Sequence, residues 1–167
     1  LQKGDSVAAM MPNAPETIIS SLACASLGGV WSSCSPDFGE RAILDRFDQI
    51  KPKILIACNG YTFKGRKYST ANRVDALVSK IKSIKCVIVV DYIADHSDFS
   101  SNHIRWNDID FSSLSSGNYF EQMKFDDPLY VMFSSGTTGK PKSIVHSVGG
   151  TLLQHIKELG LHTDLKS

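Results

Sequence analysis

Apolar residues along this chain fall into short continuous runs, separated by stretches in which they recur at helical spacing. Val7-Ala8-Ala9-Met10-Met11 reads as a buried strand. Asn13-Ala14-Pro15-Glu16 supplies a helix start: Asn or Ala at the cap, Pro in the first turn, and Glu at the positive end of the dipole. Ile18, Leu22 and Ala25, widened by Ile19 and Ala23, give that helix an apolar stripe, and Gly28-Gly29 closes it. Val30–Ser33 is a second strand. Ser35-Pro36-Asp37 starts a second helix running through Gln49, with Ile43, Phe47 and Ile50 on one face.

Lys53–Ala57 is a third strand, followed by a polar loop. Val74, Leu77, Val78, Ile81 and Ile84 mark a helix of about 14 residues. Cys86–Val90 is apolar throughout, as a strand buried on both faces should be. From Asp91 to Asp127 the chain is rich in Ser, Asn and Asp and reads as a surface excursion, with a brief strand at Ile104-Arg105-Trp106. Leu129–Phe133 and Ser143–His146 are the last strands, and Val148, Leu152, Ile156 and Leu159 the last helix, ended by Gly160. Strands alternating with helices predict an α/β domain with a largely parallel sheet and helices on both faces. In such sheets ligands bind in loops leaving the carboxyl ends of strands.

Composition changes this picture little. Of 167 residues, 42% are hydrophobic and 21% charged, with a formal net charge of +1. That balance gives no electrostatic reason to expect nucleic acid or a membrane surface as partner. No apolar run approaches the roughly 20 residues that span a bilayer. The four cysteines, Cys24, Cys34, Cys58 and Cys86, lack C-x-x-C spacing and nearby His, so they read as reduced core thiols of a cytosolic protein. Leu1 in place of Met, and an ending at Leu161–Leu165 that starts a new element, read as a piece cut from a longer chain.

The candidate chemistry lies in the loop after Phe133: Ser134-Ser135-Gly136-Thr137-Thr138-Gly139-Lys140-Pro141-Lys142. Its glycines let backbone N–H groups approach a ligand, its hydroxyls add donors and its lysines add positive charge, a combination suited to a polyphosphate. A flexible Ser/Gly/Thr linker has the same composition, but a linker needs neither two flanking apolar strands nor Lys-Pro-Lys. A Walker A loop is excluded by glycine spacing and by Pro141, which blocks the helix such a loop feeds; that argues against an unrelated P-loop hydrolase. No G-x-G-x-x-G occurs.

Ser134–Lys142 resembles the phosphate-binding signature of the adenylate-forming superfamily. The flanks, Asp126-Asp127-Pro128-Leu129 and His146-Ser147-Val148-Gly149-Gly150, resemble its short-chain branch. Trp31–Gly39 with Asp45-Arg46-Phe47, and Ile144–His155, are most similar to members that activate acetoacetate. The resemblance implies an acid–thiol ligase that joins acetoacetate to coenzyme A through an acyl-adenylate, with ATP, Mg²⁺ and coenzyme A as co-reactants and a cytosolic location. Residues 1–167 would then be part of one AMP-binding N-terminal domain, truncated at both ends, and the piece alone is expected to be inactive, to expose apolar surface and to aggregate.

It further implies that Gly136, Thr137, Thr138 and Gly139 hold the β- and γ-phosphates while Ser134 and Ser135 shape the loop or donate to it. Lys142 is the stronger candidate for direct phosphate contact and Lys140 the weaker; Thr138 and Lys142 form the candidate catalytic pair. No metal-ligating residue is assigned, Mg²⁺ sharing the phosphate charge. Ser143 departs from a common glycine. His146 reads as a structural histidine, Trp31 as a core aromatic ahead of a pocket wall, and Asp37, Asp45 and Arg46 as helix-cap and surface charges. Two other functions stay open: a synthetase for acetate or propionate, and a non-catalytic nucleotide-binding fragment.

Overall fold

The computed structural model describes residues 1–94, 99–110, 112, 120–135 and 139–166. Among them, β1 (Ser6–Met10), β2 (Val30–Cys34), β3 (Ile54–Cys58), β6 (Cys86–Val90), β7 (Ile104–Arg105), β8 (Pro128–Ser134) and β9 (Lys142–Ser147) form one seven-stranded sheet in the order β7-β6-β3-β1-β2-β8-β9. Every pairing is parallel except β8 with β9. The helices are α1 (Pro15–Ser26), α2 (Glu40–Ile50), α3 (Ala71–Lys80) and α4 (Val148–Lys157). The α/β reading therefore holds.

The apolar runs become central strands because both sheet faces are covered. On one face Ile43 and Phe47 of α2 and Val74 and Leu77 of α3 pack on Ala8, Met10, Leu55, Ala57, Val87 and Val89. On the other, Cys24 of α1 joins Val7, Ala9, Met11, Ile56, Cys58 and Val90, with Trp31 and Trp106 at the margin. α4 lies across a groove from α1, so helices cover both faces.

The first helix buries a different face from the one its apolar spacing indicates. Ile18 and Leu22 are 63% and 64% exposed, whereas Ser20 and Cys24 are 6% and 3% exposed. The reason is close approach. A Cβ built on Gly29 would sit 2.7 Å from Cys24 Sγ, so the helix meets the sheet at the start of β2 through small side chains. The larger apolar residues flank that contact. Ile19 and Ala23 line one groove, and Leu22 and Ala25 line another facing α4.

Other elements differ in extent. α2 begins at Glu40, not Ser35, with Gly39 at its cap. The Pro36 carbonyl, which a helix would use internally, accepts from Arg73 Nη1 instead. α3 stops at Lys80, and the chain then turns so that Lys85 N donates to Lys53 O at 2.8 Å, aligning β6 with β3. The expected polar loop after β3 is a hairpin, β4 (Gly60–Phe63) with β5 (Arg66–Ser69), turning at Lys64 and Gly65 with φ of 49° and 75°. Positive φ at both turn positions matches the right-handed twist of two-residue hairpins. Ile104-Arg105 is a strand as expected, but Trp106 starts a 3₁₀ turn. Gly160 does not end the last helix, which continues past Lys157 as a π turn, Glu158–His162.

Large apolar side chains stay exposed where β8, β9 and α4 lie at the sheet edge: Met132, Ile144, Val145, Leu152, Leu153 and Ile156. That agrees with the expected open apolar surface. Among the described residues no helix is long and apolar enough to cross a membrane.

Phe47 is fully buried at the centre of the α2–α3 face. Phe47→Ala should lower the unfolding free energy by about 3–5 kcal/mol, while Ile156→Ala on exposed α4 should cost under about 1 kcal/mol. Urea denaturation followed by circular dichroism gives both values; equal effects would contradict this core.

Candidate functional site

The site is built where the sheet reverses direction. β8 leaves the sheet at Ser134, and β9 returns antiparallel with Lys142 opposite Ser134 and Ser143 opposite Phe133. An antiparallel pair lets the chain turn back within a short loop, whereas a parallel return would need a crossover. The loop thus sits at the carboxyl end of a strand in a largely parallel sheet, the usual place for ligands in this architecture.

Ser134, Ser135, Gly139, Lys140 and Lys142 are all exposed. Gly136, Thr137 and Thr138 lie outside the described residues, so the candidate pair Thr138 and Lys142 is seen only at Lys142. Gly139 has φ 149°, a value L side chains rarely adopt, and a Cβ there would meet nothing within 4 Å. Its role is conformational, turning the backbone into the Lys-Pro-Lys leg.

The two lysines diverge. Lys142 opens β9 opposite Ser134, at the mouth of the loop. Lys140 lines an open cleft of about 330 Å³ along α2, beside Glu40, Asp45 and Asp48. Arg41, Lys51 and Lys80 already pair with those carboxylates.

Neighbouring elements fix the loop's legs. Ser32 Oγ donates to Val131 O at 2.9 Å in a buried bond between β2 and β8. Arg46 places its guanidinium 5.9 Å from the Phe133 ring and 5.1 Å from the Phe38 ring. Gln49 Nε2 donates to Pro141 O at 2.9 Å. Arg46 is therefore no surface charge, as the sequence reading has it; it is half-buried against the strand that enters the loop. Asp45 keeps the expected surface role, accepting from Arg41 Nε at 3.1 Å. The spacing of Arg46 and Gln49, one helical turn apart, puts them on one side of α2. Their partners lie far along the chain, so no local signal reveals them.

Beyond β9, Ser147 caps α4, accepting from Gly150 N at 3.2 Å. A Cβ on Gly149 would lie 2.1 Å from the Phe125 ring, and Val148 N donates to Asp127 O at 2.9 Å. The flanks Asp126–Leu129 and His146–Gly150 thus pack on each other. Lys3 pairs with Asp127 at 3.0 Å, and the Lys124 backbone N–H with this lysine holds the Asp127 carboxyl below its ordinary range.

His146 stacks on Tyr130, ring centroids 4.8 Å apart, which fits the structural role expected of it. Trp31 is a core aromatic, as expected. It packs against the core cluster and also walls two cavities, of about 450 and 520 Å³, on either side of the β2–β8 junction. Among the described residues no group of three or more His, Cys, Asp or Glu could hold a metal ion. The lysines are the positive charge this chain itself brings to the loop.

Fold and loop together define the class, and the comparisons agree: the chain belongs to the AMP-binding enzyme family, whose model matches residues 1–165. It is 46% identical to the acetoacetyl-coenzyme A synthetase of Rhizobium meliloti (strain 1021), over 98% of this chain and 25% of that protein. It is 39% identical to the acetoacetyl-CoA synthetase of Macaca fascicularis, over 100% of this chain and 26% of that protein. A solved structure, acetoacetyl-CoA synthetase from Streptomyces lividans, superposes with a TM-score of 0.90 at 39% identity, over 99% of this chain and 25% of that one. The chain spans about a quarter of the length of the relatives it matches.

Burial pushes the Cys34 thiol up to about 12 and the Cys24 and Cys58 thiols up to about 11. Each folded thiol then keeps its proton where an unfolded one, with an ordinary value of about 8.5, loses it. The unfolded state binds fewer protons above that value, so stability should fall as pH rises from about 9 to 11. At pH 8 these three thiols should resist iodoacetamide in the native protein and react freely in guanidinium. Native labelling at the denatured rate would contradict their burial.

Proposed function

We propose that this chain is part of the N-terminal domain of an ATP-dependent ligase that activates acetoacetate as an acyl-adenylate and passes it to coenzyme A, in the cytosol. The observation that carries this is the antiparallel pairing of Ser134 with Lys142 at the carboxyl end of β8, which fixes the two ends of the loop. The similarity to acetoacetyl-CoA synthetases over nearly the whole chain supports the choice of acid.

In this reading Gly136, Thr137, Thr138 and Gly139 bind the β- and γ-phosphates through backbone N–H groups and hydroxyls, with Ser134 and Ser135 shaping the entry. The acid carboxylate attacks the α-phosphorus and pyrophosphate leaves. The protein's work in that step is positioning and charge stabilisation. Lys142 and Thr138 meet charge developing on the departing phosphates. Lys140, which lines the cleft along α2, contributes less. Mg²⁺, when bound, shares the phosphate charge.

The test uses the full-length protein containing this chain. Acetoacetate should support pyrophosphate–ATP exchange better than acetate or propionate, and a preference for either of those would overturn the acid assignment. Lys142→Ala should raise the KM for ATP by about tenfold or more, the size of a lost charged hydrogen bond. Lys140→Ala should raise it by less than about threefold. An unchanged KM for ATP in Lys142→Ala would remove the phosphate assignment.

A further inference from the structure

Helix α2 touches both legs of the loop. Arg46 lies against Phe133, the residue before Ser134, and Gln49 donates to Pro141, the residue before Lys142. We propose that α2 is the positioning platform of the phosphate loop, with Arg46 and Gln49 as its two positioning residues. This rests on the reading of the loop given under Proposed function.

The platform is rigid by construction. Ile43 and Phe47, on the same helix, are fully buried in the core. Both contact groups are themselves oriented. Arg46 Nη1 donates to Ala42 O at 2.7 Å, and Gln49 Nε2 also donates to Asp45 O at 2.5 Å. Among the described residues Arg46 makes no ion pair within 4 Å. Its charge is committed to the faces of Phe38 and Phe133, where ring quadrupoles attract a guanidinium.

On its inner side β8 is tied to β2 by the buried Ser32–Val131 hydrogen bond, and the α2 contacts are what reach beyond it to the two legs of the loop. The register of β8 with β2 is the single pair Trp31 and Tyr130, and cavities open on both sides of that junction. A loop that must present several N–H donors to one phosphate chain loses affinity when either leg wanders, because ordering it then falls to the ligand. Neither residue need touch ATP to affect it.

The test uses the full-length protein with KM for ATP and for acetoacetate, kcat and Tm measured together. Gln49→Leu keeps the size and removes the donor; Gln49→Lys restores a donor. Arg46→Met keeps the stem and removes the charge; Arg46→Lys restores it. Gln49→Leu and Arg46→Met should each raise the KM for ATP about fivefold, leaving the KM for acetoacetate within about twofold. Gln49→Lys should recover most of the loss. Gln49 is exposed, so Gln49→Leu should move Tm by no more than about 2 °C, and the Gln49 pair decides the matter if Arg46→Met fails to fold. If both variants leave the KM for ATP unchanged while Lys142→Ala raises it, the platform is overturned and the phosphate loop stands. If Lys142→Ala also changes nothing, the loop reading itself fails. Equal rises in KM for both substrates would reduce α2 to general structural support and overturn the proposal.

Discussion

The pairing of β8 with β9 is the constraint on which the site depends. One strand runs out of a parallel sheet and the next comes straight back, with Ser134 opposite Lys142. Opposed residues of an antiparallel pair sit about 4.5–5.5 Å apart, so the two ends of the loop are fixed before anything in it is specified. A serine hydroxyl and a lysine ammonium are thereby brought to one mouth from positions separated along the chain. The pair joins the rest of the sheet through β2, by the Trp31–Tyr130 register position and the buried Ser32–Val131 hydrogen bond, and takes further contacts from α2.

The two faces of the sheet serve different ends. Under β1, β3 and β6 the α2–α3 face is closed, with large side chains such as Phe47, Leu55 and Leu77 fully buried. That gives α2 a fixed position from which to reach the loop. The α1 face is open beside β2 and β8. There Trp31, Tyr130 and Leu22 wall a cavity of about 520 Å³ that α4 closes on its far side. Small residues at the α1 contact, Ser20 and Cys24 against Gly29, bring the helix close while leaving its large apolar side chains to line the grooves.

Much of this could be read from the chain, and the failures have physical reasons. Cys86–Val90 was legible to the residue because a doubly covered parallel strand is apolar throughout. The loop's place between two strands was legible because short apolar runs flank it, although β9 proves to be an exposed antiparallel edge strand. The α1 face was misread because periodicity finds apolar residues, and here glycine and small side chains decide which face approaches. The β4–β5 hairpin was invisible because its strands, Gly60–Phe63 and Arg66–Ser69, are mostly exposed and carry no core alternation. Arg46 and Gln49 were missed because a helix announces its own face but never the loop it will meet. Gln49 reaches Pro141 across 92 positions of sequence.

The absence of a helix after the loop determines what the loop must contain. In a P-loop the phosphate chain rests on a helix N-terminus, whose unpaired N–H groups and dipole supply positive potential. Here Pro141 and Lys142 lead into a strand, and the next helix starts only at Val148. Strand dipoles alternate and nearly cancel, so the backbone contributes donors but little net potential. Neutralisation then falls on side chains. Two candidates stand at the end of the loop, and Lys140 lines the cleft along α2. Lys142, placed by the β8–β9 register and not by loop conformation, is the cation whose position the fold itself guarantees.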